Sequence, residues 1–171
     1  MIALSLLLIA YAISKIKSDS DTAVDTGDSY TYSPDTQTET QMAQTWTPPA
    51  SKYLRAIYDA EIKYNIPHNL LARQLWQESR FNANAYNSKS DARGIAQIVP
   101  KWHPDVNPLD AYASIDYAGK YMHALYKKYA SWDMALAAYN WGMGNLDKYG
   151  FANAPSETRN YVADITGDVQ V

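Results

Sequence analysis

The stretch from Asp19 to Pro49, which contains no Leu, Ile, Phe, Lys or Arg, restricts where this chain can form a hydrophobic core. Ser, Thr, Asp and Gln dominate it, so it cannot bury enough apolar surface to offset the entropy lost on ordering. We therefore predict a disordered, acidic, Ser/Thr-rich linker over residues 19–50 and a single folded domain over residues 51–171. A domain of that length is ordinary for one hydrophobic core.

The negative charge of the chain lies mostly in this linker. Its six acidic residues are Asp19, Asp21, Asp25, Asp28, Asp35 and Glu39. The formal net charge is −3, whereas residues 50–171 hold 13 basic and 12 acidic side chains. A nearly neutral domain without clustered Lys and Arg is a poor match for a phosphate backbone, so we expect no nucleic-acid partner.

The absence of cysteine removes several kinds of site at once: disulfides, thiol nucleophiles, Cys-based zinc sites and lipid-modified cysteines. The three histidines, His68, His103 and His123, are far apart in the sequence and show no metal-ligand spacing. We therefore expect neither a metal site nor any other cofactor.

The amino terminus is apolar almost without interruption from Ile2 to Ile13, and two lysines follow. This run is shorter than the roughly 20 residues that cross a bilayer, but it has the length of a signal-peptide core. We predict that residues 1–18 are a signal or membrane-anchor segment, with residues 1–17 available for membrane contact; a buried hydrophobic arm is the alternative. In an uncleaved anchor, lysines on the carboxyl side would favour a cytoplasmic domain.

Helical periodicity predicts the first two helices of the folded domain. One helix should begin at a Ser51 cap and end near Tyr64, and Pro67 fits the first turn of the next. The apolar positions of the first helix are Leu54, Ile57, Tyr58 and Ile62. In the second helix Glu78 follows Leu71 and Leu75 on one face, so its carboxylate ends an apolar stripe that should raise its pKa.

The rest of the domain also favours helices, because no segment shows sustained period-two alternation. A polar loop should follow Phe81. The remaining predicted helices are Ile115 to Tyr129, Trp132 to Tyr139 with a break at Gly142 and Gly144, and a last helix after Pro155 capped by Ser156. The domain is therefore predicted to be mainly α.

Four separated stretches of the domain form a pattern. They are Gln77-Glu78-Ser79-Arg80-Phe81-Asn82, Ala92-Arg93-Gly94-Ile95-Ala96-Gln97, Ala137-Ala138-Tyr139-Asn140 with Gly142 and Gly144, and Glu157-Thr158-Arg159-Asn160-Tyr161-Val162. Their order and spacing resemble the soluble lytic transglycosylase (SLT) domain family over roughly residues 52–165. The resemblance implies a lysozyme-like (goose-type/SLT) helical domain, preceded here by the hydrophobic segment and the linker, with peptidoglycan glycan strands as its partner.

The resemblance also implies a reaction with one catalytic carboxylate, Glu78. Glu78 would protonate the oxygen that links N-acetylmuramic acid to N-acetylglucosamine. As a carboxylate it would then take a proton from the muramic C6 hydroxyl as that hydroxyl closes onto C1, which gives a 1,6-anhydro sugar. Such a route needs no second carboxylate, unlike the scheme of most glycosidases.

By the same resemblance, seven further residues are candidates for binding substrate: Ser79, Ser88, Ile95, Gln97, Tyr139, Asn140 and Tyr161. Two departures from the family pattern affect them. Residues 94–97 read Gly-Ile-Ala-Gln where the family has Gly-Leu-Met-Gln, and about one extra residue before Gly94 blurs the choice between Asn87 and Ser88. Structural roles stay open: Ser79 and Ser88 as cap or turn residues, Tyr139 as a core residue.

Two rival functions remain open. A goose-type lysozyme of the same fold would need a carboxylate that positions water, for which Asp91 and Asp110 are the candidates. A glycan-binding module without catalysis is the other. We expect Glu157 to stabilise the last helix as a first-turn acid rather than to catalyse. For the enzyme we expect a monomeric catalytic domain in the cell envelope, periplasmic or membrane-anchored, or on a virion, opening the wall locally for phage entry or an envelope-spanning apparatus.

Overall fold

A computed structural model describes residues 46–167 of the chain. The predictions for residues 1–18 and for most of the linker over 19–50 lie outside the described residues. Among the helices of the described part, none is both long and apolar enough to cross a membrane.

The described chain is mainly helical, which confirms the predicted fold class. The helices are α1 (Leu54–Lys63), α2 (Leu70–Ser79), α3 (Ala111–Tyr129), α4 (Trp132–Trp141), α5 (Met143–Tyr149) and α6 (Ser156–Thr166), with a 3₁₀ turn at Phe151–Asn153. Two-residue strands, β1 (Tyr86–Asn87) and β2 (Ala92–Arg93), pair antiparallel within the predicted polar loop. Strands this short are invisible to a search for period-two alternation.

Helix α4 lies at the centre of the domain, since it packs against α3, α5 and α6. Its consecutive residues Ala135 to Ala138 are all buried, and Leu136 is fully so. Helices α1 and α2 close the core from the other side, α1 against α3 and α2 against α6. Fully buried large side chains such as Leu75 and Met122 each contribute about 1.5–3 kcal/mol of hydrophobic stabilisation.

Two predictions about α1 were wrong in detail. Ser51 does not cap the helix: its Oγ accepts the N–H of Tyr53 at 3.2 Å, and the helix begins only at Leu54. Ile62 is 80% exposed instead of facing the core. Glu61, next to Ile62, occupies the inward position instead.

The later helices also begin and end differently from the prediction. Ser156 is the first residue of α6 and forms no side-chain cap, because Pro155 occupies the N-cap position. Gly142 does end α4, with a φ of +91°. Gly144, however, lies inside α5 and breaks nothing. Pro67 likewise precedes α2, which begins at Leu70.

A buried carboxylate on α1 positions the amino terminus of α2. Glu61 is 2% exposed, and its oxygens accept the N–H of Asn69 at 3.0 Å and that of Ala72 at 3.1 Å. The first N–H groups of a helix have no partner within the helix, so this side chain satisfies them. Burial raises the pKa of Glu61 to about 7 against the opposing effect of these backbone donors.

The turn after β2 requires glycine at Gly94. Its φ is +73°, and a Cβ placed there would lie 1.8 Å from the carbonyl oxygen of Pro108. No other residue fits without moving the backbone. The N–H of Gly94 donates to the carbonyl of Ala85 at 2.8 Å, which holds the turn of residues 94–97 against the loop before β1.

Candidate active site

Glu78 lies in the last turn of α2, where that helix packs against α6. The hydroxyl of Tyr161, on α6, donates to its Oε1 at 2.6 Å. Tyr161 itself is only 6% exposed, so its ring lies in the core and its hydroxyl approaches the carboxyl group from the core side. Packing of α2 on α6 therefore sets the position of one carboxylate oxygen.

Burial raises the pKa of Glu78 to about 7, and the hydrogen bond from Tyr161 opposes that rise. Near neutral pH the carboxyl group can therefore exist in both its protonated and its ionised form. A group in that state can give a proton and later accept one, which is what a general acid and base must do. The raised pKa that the sequence predicted for Glu78 agrees with the burial of its carboxyl group.

A polar cavity of about 330 Å³ borders Glu78. Its lining comes from α2, α4 and α6 and consists of Gln77, Glu78, Asn140, Glu157, Asn160, Tyr161 and Asp164. Amides, carboxylates and a phenol are the groups that hydrogen-bond to hydroxyl-rich ligands such as sugars.

Two hydroxyl groups fasten the turn of residues 94–97 beside the site. Ser79 Oγ donates to the carbonyl of Ile95 at 2.8 Å, and Tyr139 Oη donates to the carbonyl of Ala96 at 2.8 Å. The Ile95 side chain is fully buried, so it supports the turn from within the core. The hydroxyl protons of Ser79 and Tyr139 are both donated to these backbone carbonyls. These three residues hold the turn in place.

Tyr139 also lies near the carboxyl group. Burial raises the pKa of Tyr139 well above its usual value, and the charge of Glu78 adds to that rise. Gln97 ends the turn with a φ of +47°, and its Nε2 donates to the carbonyl of Gly94 at 3.0 Å. The side chain of Gln97 is thereby folded back onto its own turn.

The remaining two candidates lie in different surroundings. Asn140 lines the cavity, and its Oδ1 accepts from the buried Thr158 hydroxyl at 2.8 Å, which ties α4 to α6. Ser88 is exposed beyond β1, and among residues 46–167 no hydrogen bond joins it to Glu78. The structure therefore brings Asn140 and Tyr161 to the cavity with Glu78 and leaves Ser88 outside it.

The two carboxylates considered for a lysozyme-type reaction have other partners. Asp91 pairs with Arg93 at 2.8 Å, and Asp110 caps α3 by accepting the N–H groups of Tyr112 and Ala113. Neither lines the cavity, whereas Glu157 and Asp164 do.

Sequence reasoning missed Asn160 and Asp164 and assigned Glu157 only to helix stabilisation. A signal existed, because Glu157, Asn160, Tyr161 and Asp164 recur at the spacing of one helix face. In the part of the chain that the structure describes, no group of three or more His, Asp or Glu residues is placed to hold a metal ion.

Replacing Tyr161 with Phe is expected to raise the pKa of Glu78. The Tyr161 hydrogen bond favours the ionised carboxyl, and losing a bond of this kind shifts the pKa by about 1 unit. The basic limb of the pH–rate profile for the expected glycan cleavage should move up by the same amount. Tyr126→Phe, a tyrosine stacked on Trp132 outside the cavity, is the control, and an identical limb in both variants would contradict this role.

A comparison with known protein families identifies the family of this chain. The family model described as "Transglycosylase SLT domain" matches residues 55–162. The matched range begins in α1 and ends in α6, so it includes every residue that lines the cavity except Asp164.

Proposed function

Because the chain belongs to the transglycosylase SLT domain family, we propose that it cleaves the β-1,4 bond between N-acetylmuramic acid and N-acetylglucosamine and releases 1,6-anhydro-N-acetylmuramic acid. Membership confirms the resemblance drawn from the four sequence stretches. It also supports, in general terms, binding and cleavage of peptidoglycan in the manner of lytic transglycosylases. The exact bond, the product and the residues are the proposal.

In the proposed reaction Glu78 acts twice. As an acid it gives its proton to the bridging oxygen while the bond from C1 of the muramic sugar to that oxygen breaks. As a carboxylate it then removes the proton of the C6 hydroxyl while that oxygen bonds to C1. The bond from C1 to the bridging oxygen is exchanged for one from C1 to O6, and Glu78 is protonated again, so no water is consumed.

The observation that carries this proposal is the setting of Glu78. A pKa near 7, caused by burial, suits a group that must be an acid in one half of the reaction and a base in the other. The hydrogen bond from Tyr161 to Oε1 supports the carboxylate when it forms. Amide groups of Gln77, Asn140 and Asn160 in the same cavity are suited to sugar hydroxyls and acetamido groups.

A lysozyme-type hydrolase is the second candidate, favoured by one observation. Glu157 and Asp164 are carboxylates in the same cavity as Glu78, and an inverting hydrolase uses a second carboxylate to activate water. They replace Asp91 and Asp110 as the residues to test for that reaction. Under this candidate, Glu157→Gln or Asp164→Asn stops cleavage, whereas under transglycosylation both variants still form the anhydro product.

We also retain the proposed tether and location. In this proposal, residues 1–18 are a signal or anchor and residues 19–50 are a linker. Together they would hold the domain in the cell envelope facing the wall, or on a virion, where it would open the wall locally. Fractionation of cells that express the full chain, followed by mass analysis of its amino terminus, tests this. Recovery of the intact chain in the cytosol would contradict export and membrane attachment together.

Digestion of purified peptidoglycan by the full chain tests the reaction. Muropeptides lighter by one water than the corresponding reducing-end species identify the anhydro product. Reducing ends alone would favour the hydrolase, and no cleavage by folded protein would favour a glycan-binding module.

A further inference from the structure

Gln74 is a polar side chain in a place where such groups are rare. It lies in the middle of α2 and is fully buried. Within residues 46–167, neither its Oε1 nor its Nε2 forms a hydrogen bond. Leaving a buried amide unpaired destabilises a protein, and most such groups in native structures are paired. A Leu or Met at this position would avoid that cost, so the amide calls for a functional explanation.

The position of Gln74 relates it to the active site. It lies one helical turn before Glu78, and residues four apart share a face of a helix. That face packs against α6, which carries Tyr161. Gln74 is near enough to Tyr161 to act on its hydroxyl, where it lowers the pKa of that hydroxyl against the larger effect of burial.

The Tyr161 hydroxyl oxygen has a free capacity to accept a hydrogen bond, and Gln74 has a donor to match it. Its single proton is donated to Glu78 Oε1, while its oxygen can still accept hydrogen bonds. The Gln74 amide nitrogen carries two N–H donors, and in the described part of the chain that nitrogen has no other acceptor. The Gln74 donor and the Tyr161 acceptor therefore lie in the same buried interface between α2 and α6.

We propose that Gln74 is a positioning residue that donates to the Tyr161 oxygen and thereby fixes the Tyr161 hydroxyl as a donor to Glu78. This inference rests on the proposed function of Glu78. An N–H donated to the Tyr161 oxygen orients the hydroxyl proton toward Oε1 and strengthens that bond, because linked hydrogen bonds polarise one another. Oε1 then always accepts, and the proton that Glu78 gives to substrate resides on Oε2.

Gln74→Met tests the proposal, because Met keeps the length and flexibility of Gln but has no N–H donor. Without the donor the carboxylate loses part of its support, so the pKa of Glu78 rises by about half a unit. Two measurements report it: the basic limb of the pH profile of kcat/KM, and a carbon-13 NMR titration of the Glu78 carboxyl in the full chain. Thermal unfolding checks separately that the variant folds.

The Tyr161→Phe background supplies the matched control. If Gln74 acts through Tyr161, adding Gln74→Met to Tyr161→Phe produces no further shift, so the two changes are not additive. A changed unfolding temperature with an unshifted Glu78 titration would mean that Gln74 is purely structural and would overturn the proposal. An equal shift in both backgrounds would overturn it as well. A wild-type chain that does not cleave peptidoglycan refutes the proposed function instead, and the NMR titration still decides the role of Gln74.

Discussion

Replacing Glu78 with Gln is expected to lower kcat/KM for peptidoglycan cleavage by about 100-fold to 10,000-fold, the range for removal of a general acid and base. An amide of the same shape neither gives nor accepts a proton at accessible pH, so both halves of the proposed reaction fail. The amide oxygen of the Glu78→Gln variant can still accept the hydrogen bond of Tyr161, and the cavity keeps its shape. Initial rates on purified peptidoglycan, measured beside sedimentation of protein with insoluble wall, separate catalysis from binding.

The matched control for this variant is Glu157→Gln, which removes a carboxylate from the same cavity without touching the Tyr161 bond. Under transglycosylation it retains most of the activity, and Glu78→Gln retains wall binding. Comparable rates for wild type and Glu78→Gln would exclude Glu78 as the acid. Loss of activity in both variants would point to two cooperating carboxylates and hence to the hydrolase.

Replacing Glu61 with Ala is expected to lower the free energy of unfolding by about 3 kcal/mol, because two helix N–H groups lose their acceptor. Those groups belong to Asn69 and Ala72 at the start of α2. The substitution also leaves a small cavity between α1 and α2, which adds to the loss. Chemical denaturation at neutral pH measures the difference, and activity should fall with the folded fraction, since α2 carries Glu78.

Asp59→Ala is the control for this prediction, because Asp59 lies on the same helix but is exposed and pairs with the exposed Arg55. An exposed ion pair of this kind contributes about 0.3–0.5 kcal/mol. Equal losses for Glu61→Ala and Asp59→Ala would mean that the buried carboxylate does not stabilise the start of α2.

The helices that sequence predicted best are those with long apolar stripes. Ala118, Met122 and Leu125 share a face of α3 by spacing alone, and all three are buried. The predicted start of α3 at Ile115 is too late, because Asp110 caps the helix and Ala111 is its first residue. A cap depends on local backbone geometry, which apolar spacing does not encode.

Within the candidate site, the family resemblance indicated Glu78 and Tyr161 and implied that the Tyr161 hydroxyl reaches the region of Glu78, which helical periodicity alone could not show. Their contact joins residues 83 positions apart in the chain and exists only because α2 packs on α6. Thr158 and Gln74 were missed for the same reason. A buried polar residue looks like a surface residue in sequence, and its partner is defined by packing between helices.

The most direct test of the central claim is cleavage by the full chain in water enriched in oxygen-18. A transglycosylase uses the muramic O6 as nucleophile, so mass spectrometry should show products lighter by one water than reducing-end fragments and without the heavy isotope. Hydrolysis inserts one oxygen from solvent, so products that carry oxygen-18 at the new reducing end would contradict the account.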